Sequence, residues 1–361
     1  MLGTAVLKNF PATRRLQRMA RNAGDRLLRP DSLVNTGQTP FEVICDDGLV
    51  KLRYYRPEQQ RYAVPFVIVP PLAVNMLIYD LMPDRSLIRF LLDQGFAVYM
   101  VDWGSPTRDH AHFTLSTYAR KLLPSFLQQV RIHSGQSHLT LHGWSMGGGI
   151  ALVYAAISGD PDIRNLVAVG TAVDGHANGP IGRQYAVVNR VLRRAGVNVR
   201  KLPARWAYTP GWANVIGFKL SDPVGSVRGY WDLIRNLDDR EYVSQHATQG
   251  AFINRLEAYP GGVIRDWTYS VWLENEAGRG QISVGRDVAR LERIQANLLC
   301  IAGQSDTLAN IDSCKALLDL VSSQDKQLLI APGGHTGIVS GSQAPETVWR
   351  TMVDWLATRS G

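Results

Sequence analysis

Residues 138–157, HLTLHGWSMGGGIALVYAAI, constrain the fold of this chain more than any other stretch. A short apolar run, HLTLHG, reads as a strand, and GGGIALVYAAI (147–157) reads as a helix. Ser145 lies at the junction, between Gly143 and Gly147. A strand that turns sharply into a helix at such a box lifts the serine hydroxyl onto a strained, exposed backbone position. Flanking glycines let strand and helix approach closely, and the helix N-terminus offers free N–H groups and a favourable dipole to an oxyanion. The pattern predicts Ser145 as a nucleophile.

The same alternation runs through much of the chain. EVICDDGLVKLRYY reads as an initial hairpin turning at Asp46-Asp47-Gly48. Strands are predicted at VPFVIVP (64–70), FAVYMVDW (96–103) and NLVAVGT (165–171), with helices at 84–95 and 116–133. The alternation stops near residue 175 and resumes with a strand at ANLLCIAG (296–303), a helix over 311–322, a strand at KQLLIAP (326–332) and a final helix. The order predicts an α/β fold, a mostly parallel sheet covered by helices on both faces. Residues 175–290 hold five of the nine tryptophans and read as a mainly helical cap inserted into that core. The expected organisation is a basic helical extension (1–40), a first core part (41–174), the cap (175–290) and a second core part (291–361).

A serine nucleophile needs a base, and the base needs an orienting carboxylate. In this architecture the chain order is serine, acid, histidine. His335, in APGGHTG, lies in a glycine-rich loop directly after a late strand, which singles it out among eight histidines. Asp306, in IAGQSDTLAN, ends the preceding strand and is the expected acid; Asp174, after NLVAVGT, is the alternative. A helix-capping role would suit Asp312 better than Asp306. His142 reads as a packed strand residue and His176 as a loop or cap residue. The Met146 N–H is one expected oxyanion donor. The loop PPLAVN (70–75) supplies the other, from Leu72 or Ala73, with Asn75 in support. No cofactor and no metal is expected, because no metal-type cluster or phosphate-cradling loop occurs.

Charge narrows the partners. Residues 1–30 carry seven cations against Asp25 alone, which is +6 of the formal +8 and leaves +2 for the rest of the chain. Nucleic acid is therefore not an expected partner. Leu16, Met19, Ala20, Ala23 and Leu27 recur at helical spacing among the arginines, as in a helix docked on the domain or attached to an anionic or hydrophobic surface. The three cysteines make neither a metal spacing nor an even disulfide set, which points to a reducing, cytoplasmic setting.

Several stretches resemble the polyhydroxyalkanoate synthases, especially the shorter two-component (class III) type: VIVPPLAVN, DLMPDRSLIRFLLDQGFAVYMVDWGSP, HGWSMGGG, NLDDREYV and IAGQSDTLA. The resemblance covers residues 64–340. It implies an α/β-hydrolase core with a cap over the active site, and acyl transfer from 3-hydroxyacyl-CoA. Two positions depart from the family. Its nucleophile is a cysteine where this chain has Ser145, and its acid is followed by a histidine where this chain has Thr307. The expected function is therefore a serine hydrolase acting on carboxylic esters or thioesters. A serine-using polyester synthase and a granule- or lipid-surface-binding protein are the alternatives. Expected partners are the ester or thioester substrate, a polyester granule or membrane surface, and a second copy of the chain.

Overall fold

The computed structural model describes residues 11–221 and 223–361. Eight strands form one sheet: β1 (Glu42–Asp47), β2 (Val50–Tyr55), β3 (Phe66–Val69), β4 (Val98–Asp102), β5 (Leu139–Trp144), β6 (Ile163–Val169), β7 (Asn297–Gly303) and β8 (Lys326–Ala331). Their spatial order is β1-β2-β4-β3-β5-β6-β7-β8. Only β1/β2 and β2/β4 pair antiparallel; the other pairs are parallel. The opening hairpin turns as expected, with Asp46 Oδ1 accepting the Gly48 N–H at 3.0 Å. Ser145 thus follows a central strand, and residues 304–306 and 332–335 follow its neighbours towards one edge.

Alternation along β5 divides the core. Leu139 and Leu141 join the cluster on one sheet face with Ile150 and Val153 of the helix Met146–Ser158. Trp144 joins the other face with Ile68, Val167 and Trp349. Burial of each such side chain is worth about 1.5–3 kcal/mol, so register is strongly specified.

Three helices differ from expectation at their ends or within. The one expected over 84–95 is α2 (Leu87–Asp93), because Arg85–Ser86 pairs instead with Asp80–Met82 and the Ser86 hydroxyl caps the Arg89 N–H at 3.0 Å. The run expected over 116–133 widens at 118–122 before α3 (Leu123–Ser134), where Pro124 lacks the N–H that would bond back to residue 120. The helix expected over 311–322 is two short pieces, Ile311–Lys315 and Leu317–Leu320. Asn310, not Asp312, caps the first, accepting the Ser313 N–H at 2.8 Å.

The basic segment forms α1 (Pro11–Leu28), while residues 1–10, with Lys8, lie outside the described residues. Its apolar stripe docks only in part, with Met19 and Ala23 half-buried. Asn22 Nδ2 donates to Leu237 O at 2.8 Å, Arg15 pairs with Asp238 at 3.3 Å, and Asp25 pairs with Arg240. Leu16 and Leu27 stay 65% and 81% exposed. Between β6 and β7 the described residues add no strand to the main sheet. The chain there forms helices Gly179–Arg194, Gly211–Ser221, Pro223–Arg235, Arg240–Asn254 and Gly261–Trp267, then a hairpin over 281–290. No helix among the described residues is long and apolar enough to cross a membrane.

His142 on β5 is 2% exposed, with its ring against Phe66 and Tyr79 and its Nδ1 unpartnered. Burial pushes its pKa down to about 4, against about 6.5 in an unfolded chain. Between those values the unfolded chain binds a proton that the folded chain does not, so stability falls as pH falls from 6.5 to 4. The loss reaches about 3 kcal/mol at the lower end. Denaturant midpoints measured across pH 7 to 4 should show that decline, and His142→Leu should flatten it. An unchanged slope in the variant would contradict the assignment.

Candidate active site

The site grows from one strained turn. Ser145 has φ +54° and ψ −125°, a region that non-glycine residues rarely occupy. The turn is pinned on both sides: Ser145 N–H donates to Val169 O at 2.8 Å, and Ser145 O accepts the Gly149 N–H at 3.2 Å. The two glycines of the box are required by contact. A Cβ on Gly143 would lie 2.4 Å from Gly148 Cα, and one on Gly147 would lie 2.1 Å from Val69 O.

Three expected side chains come together at the C-terminal ends of β5, β7 and β8. Ser145 Oγ is 2.9 Å from His335 Nε2, and His335 Nδ1 is 2.8 Å from Asp306 Oδ2. The Asp306 carboxylate is fully buried, and its other oxygen, Oδ1, accepts the Leu308 and Ala309 N–H groups at 2.9 Å each. Those two donors aim Oδ2 at the imidazole and leave Nε2 facing the serine. Asp306 therefore shapes its own turn as well as meeting the histidine.

Asp174 does not join them. Its Oδ1 accepts the backbone N–H groups of His176 and Ala177 at 3.0 Å each and Asn275 Nδ2 at 2.8 Å, so it holds a loop. His176 Nε2 lies 3.1 Å from the Trp272 and Leu273 carbonyls. Met146 opens the helix after Ser145, whose first N–H groups have no partner within the helix. Leu72 and Ala73 are buried in the 70–75 loop, and Ala73 has φ +62°.

Two contributors were not legible in advance. Trp144 Nε1 donates to His335 O at 3.1 Å with the rings 5.4 Å apart, which fastens the histidine loop to β5. Gly170, after β6, lies against both Asp306 and His335. The only sequence signal for either is its place at a strand end.

Two cavities meet at His335 and Leu308. One, of about 350 Å³, reaches Ser145 and is walled by Ile181, Tyr185, Trp267 and Trp272. The other, of about 470 Å³, runs past Thr307 between core loops and the helices Gly211–Ser221 and Arg240–Asn254, with Arg26, Lys219 and His246 on its walls. Among the described residues no group of three or more His, Cys, Asp or Glu is placed to hold a metal ion.

Comparison with known proteins places this geometry in a family. Residues 65–342 match the family described as alpha/beta hydrolase fold, and the chain belongs to it. Residues 33–91 match the family described as the poly-beta-hydroxybutyrate polymerase (PhaC) N-terminus. It is 31% identical over 339 residues to the poly(3-hydroxyalkanoate) polymerase subunit PhaC of Haloferax mediterranei, covering 91% of this chain and 66% of that one, just under two thirds of its length. It is 28% identical over 333 residues to the subunit of the same name from Allochromatium vinosum, covering 90% of each. A solved monoacylglycerol lipase from Paleococcus ferrophilus shares the fold, with a TM-score of 0.51, 19% identity and coverage of 86% of this chain and 99% of that one.

A fluorophosphonate should label Ser145, and His335→Ala should slow that labelling about 10²- to 10⁴-fold, the usual worth of a general base. Labelling elsewhere, or an unchanged rate in the variant, would remove the assignment.

Proposed function

We propose that this chain is a serine hydrolase that cleaves carboxylic esters or thioesters through an acyl-Ser145 intermediate. The observation that carries the reading is the 2.9 Å contact of Ser145 Oγ with His335 Nε2 on a strained turn. His335 takes the serine proton as Oγ attacks the acyl carbon, and Asp306 holds the imidazole and stabilises its charge. The oxyanion sits against the Met146 N–H and that of Leu72 or Ala73. His335 then protonates the departing oxygen or sulfur. Water, deprotonated by the same imidazole, attacks the acyl-serine and releases the acid. The aromatic cavity beside Ser145 suits an apolar acyl chain, and the larger one beyond His335, with Arg26, Lys219 and His246 among its walls, suits the leaving group.

The choice of water over a second hydroxyl follows from the atom at the elbow. A thioester-bound acyl chain passes downhill to a hydroxyl. An oxoester passes to another hydroxyl nearly without driving force, and abundant water drains it. No other thiol stands in: Cys45 lies on the edge strand β1, Cys300 and Cys314 are buried on β7 and the helix after it, and burial pushes Cys300 up to about 12.

The relatives' name supports a second reading, a poly(3-hydroxyalkanoate) synthase that works through serine. A third, binding to a granule or lipid surface or to a second copy of the chain, draws support from exposed Trp212, Ile216 and Leu220 on one helix and Val227, Tyr230 and Ile234 on the next.

Incubated with 3-hydroxybutyryl-CoA, the protein should release free acid and no linked hydroxyacids by mass spectrometry, and Ser145→Ala should abolish turnover. Linked chains would establish the synthase reading instead. Ser145→Cys should raise the ratio of transfer to hydrolysis; a ratio equal to that of the unmodified protein would contradict the oxoester argument.

A further inference from the structure

The loop 70–75 has two anchors of different kinds. Its first residues belong to the core. The Trp103 indole N–H donates to Pro70 O at 2.8 Å, and the Val69 and Pro70 backbone lies in close approach to Gly147, one turn beyond Ser145. Its last residues belong to the segment between β6 and β7. Glu257 N–H donates to Ala73 O at 2.9 Å. Asn75 Nδ2 donates to Arg255 O at 2.9 Å and to Phe252 O at 3.2 Å. Those carbonyls lie at the end of the helix Arg240–Asn254, where Phe252 O also accepts the capping Arg255 N–H at 3.2 Å. The other side-chain atom of Asn75, Oδ1, accepts the Leu77 N–H at 3.1 Å and starts the turn 76–79.

Between the two anchors, Ala73 holds φ +62° with a Cβ present. A left-handed alanine persists only where its surroundings over-determine it. Here the determinants are the Ala73 carbonyl tied to Glu257 and the next residue but one tied to Arg255 and Phe252. The orientation of the Leu72 and Ala73 N–H groups therefore depends on where the end of that helix stands.

We infer that Asn75 is a positioning residue that fastens the oxyanion loop to the helix Arg240–Asn254, so that the helix must be seated for the second oxyanion donor to point at the reacting acyl group. The inference rests on the acyl-serine reading and holds whether water or a hydroxyl takes the acyl group. The helix also walls the larger cavity, through His246, Gln249 and Ile253.

Asn75→Asp isolates the tether. The aspartate keeps the acceptor for Leu77 N–H but cannot donate to Arg255 O or Phe252 O. Asn75→Ala removes both. Each variant would be titrated for active sites with a fluorophosphonate, so that misfolded protein drops out, and then assayed with p-nitrophenyl butyrate. Both variants should lose kcat per titrated site by about 10- to 100-fold, approaching the cost of a lost or misplaced oxyanion donor, with KM within about threefold. A kcat per titrated site for Asn75→Asp within twofold of the unmodified protein overturns the tether, since the capping role survives in that variant. Turnover by Ser145→Ala equal to that of the unmodified protein would overturn the acyl-serine reading itself, and this inference with it.

Discussion

The backbone of Ser145 is the constraint on which the site depends. A residue held at φ +54° costs on the order of 1–3 kcal/mol, and the fold must supply that from neighbours. It does so with β5 in mid-sheet, Val169 O receiving the Ser145 N–H, and two glycines that let the following helix press against β3 and β5. Parallel strands then bring the ends of β7 and β8 alongside, and the acid and histidine arrive on loops of rigid strands. The same elbow that aims the hydroxyl at His335 starts a helix whose first N–H groups have no partner within the helix.

Much of this was legible in the residues. HLTLHG, the serine box and GGGIALVYAAI state a strand, a sharp turn and a helix without ambiguity, because apolar periodicity and glycine act locally. Asp306 and His335 were legible from chain order and their places after late strands. Spatial relations were less so. The spacing of Leu16 and Leu27 marks an apolar stripe in α1, but no periodicity says which face docks. Asp238 and Arg240, more than two hundred residues away, fixed the polar one. Asp174 had a suitable sequence position but does not join Ser145 and His335; its Oδ1 is taken by Asn275 and two backbone N–H groups. Trp144 had no signal beyond its place at a strand end, because its partner is a backbone carbonyl 191 residues away.

The chain combines similarity to polymerase subunits with a serine at the elbow. Its relatives carry the polymerase name across most of this chain's length, yet the elbow atom is oxygen and Cys300 and Cys314 are deep in the core. On the proposed reading, base, acid and oxyanion donors would act alike on an oxoester and a thioester, and what differs is the energy stored in the acyl-enzyme. Thr307, where the resembling family has a histidine, lines the larger cavity.

The most direct test of this account is to catch the intermediate. The protein would be mixed rapidly with 3-hydroxybutyryl-CoA, quenched in acid and analysed by intact-mass and peptide mass spectrometry over the first turnovers. The account predicts a single acyl group on Ser145 that appears, decays to free acid and never lengthens. An adduct that grows by successive hydroxyacyl units, or one carried by any other residue, would contradict it.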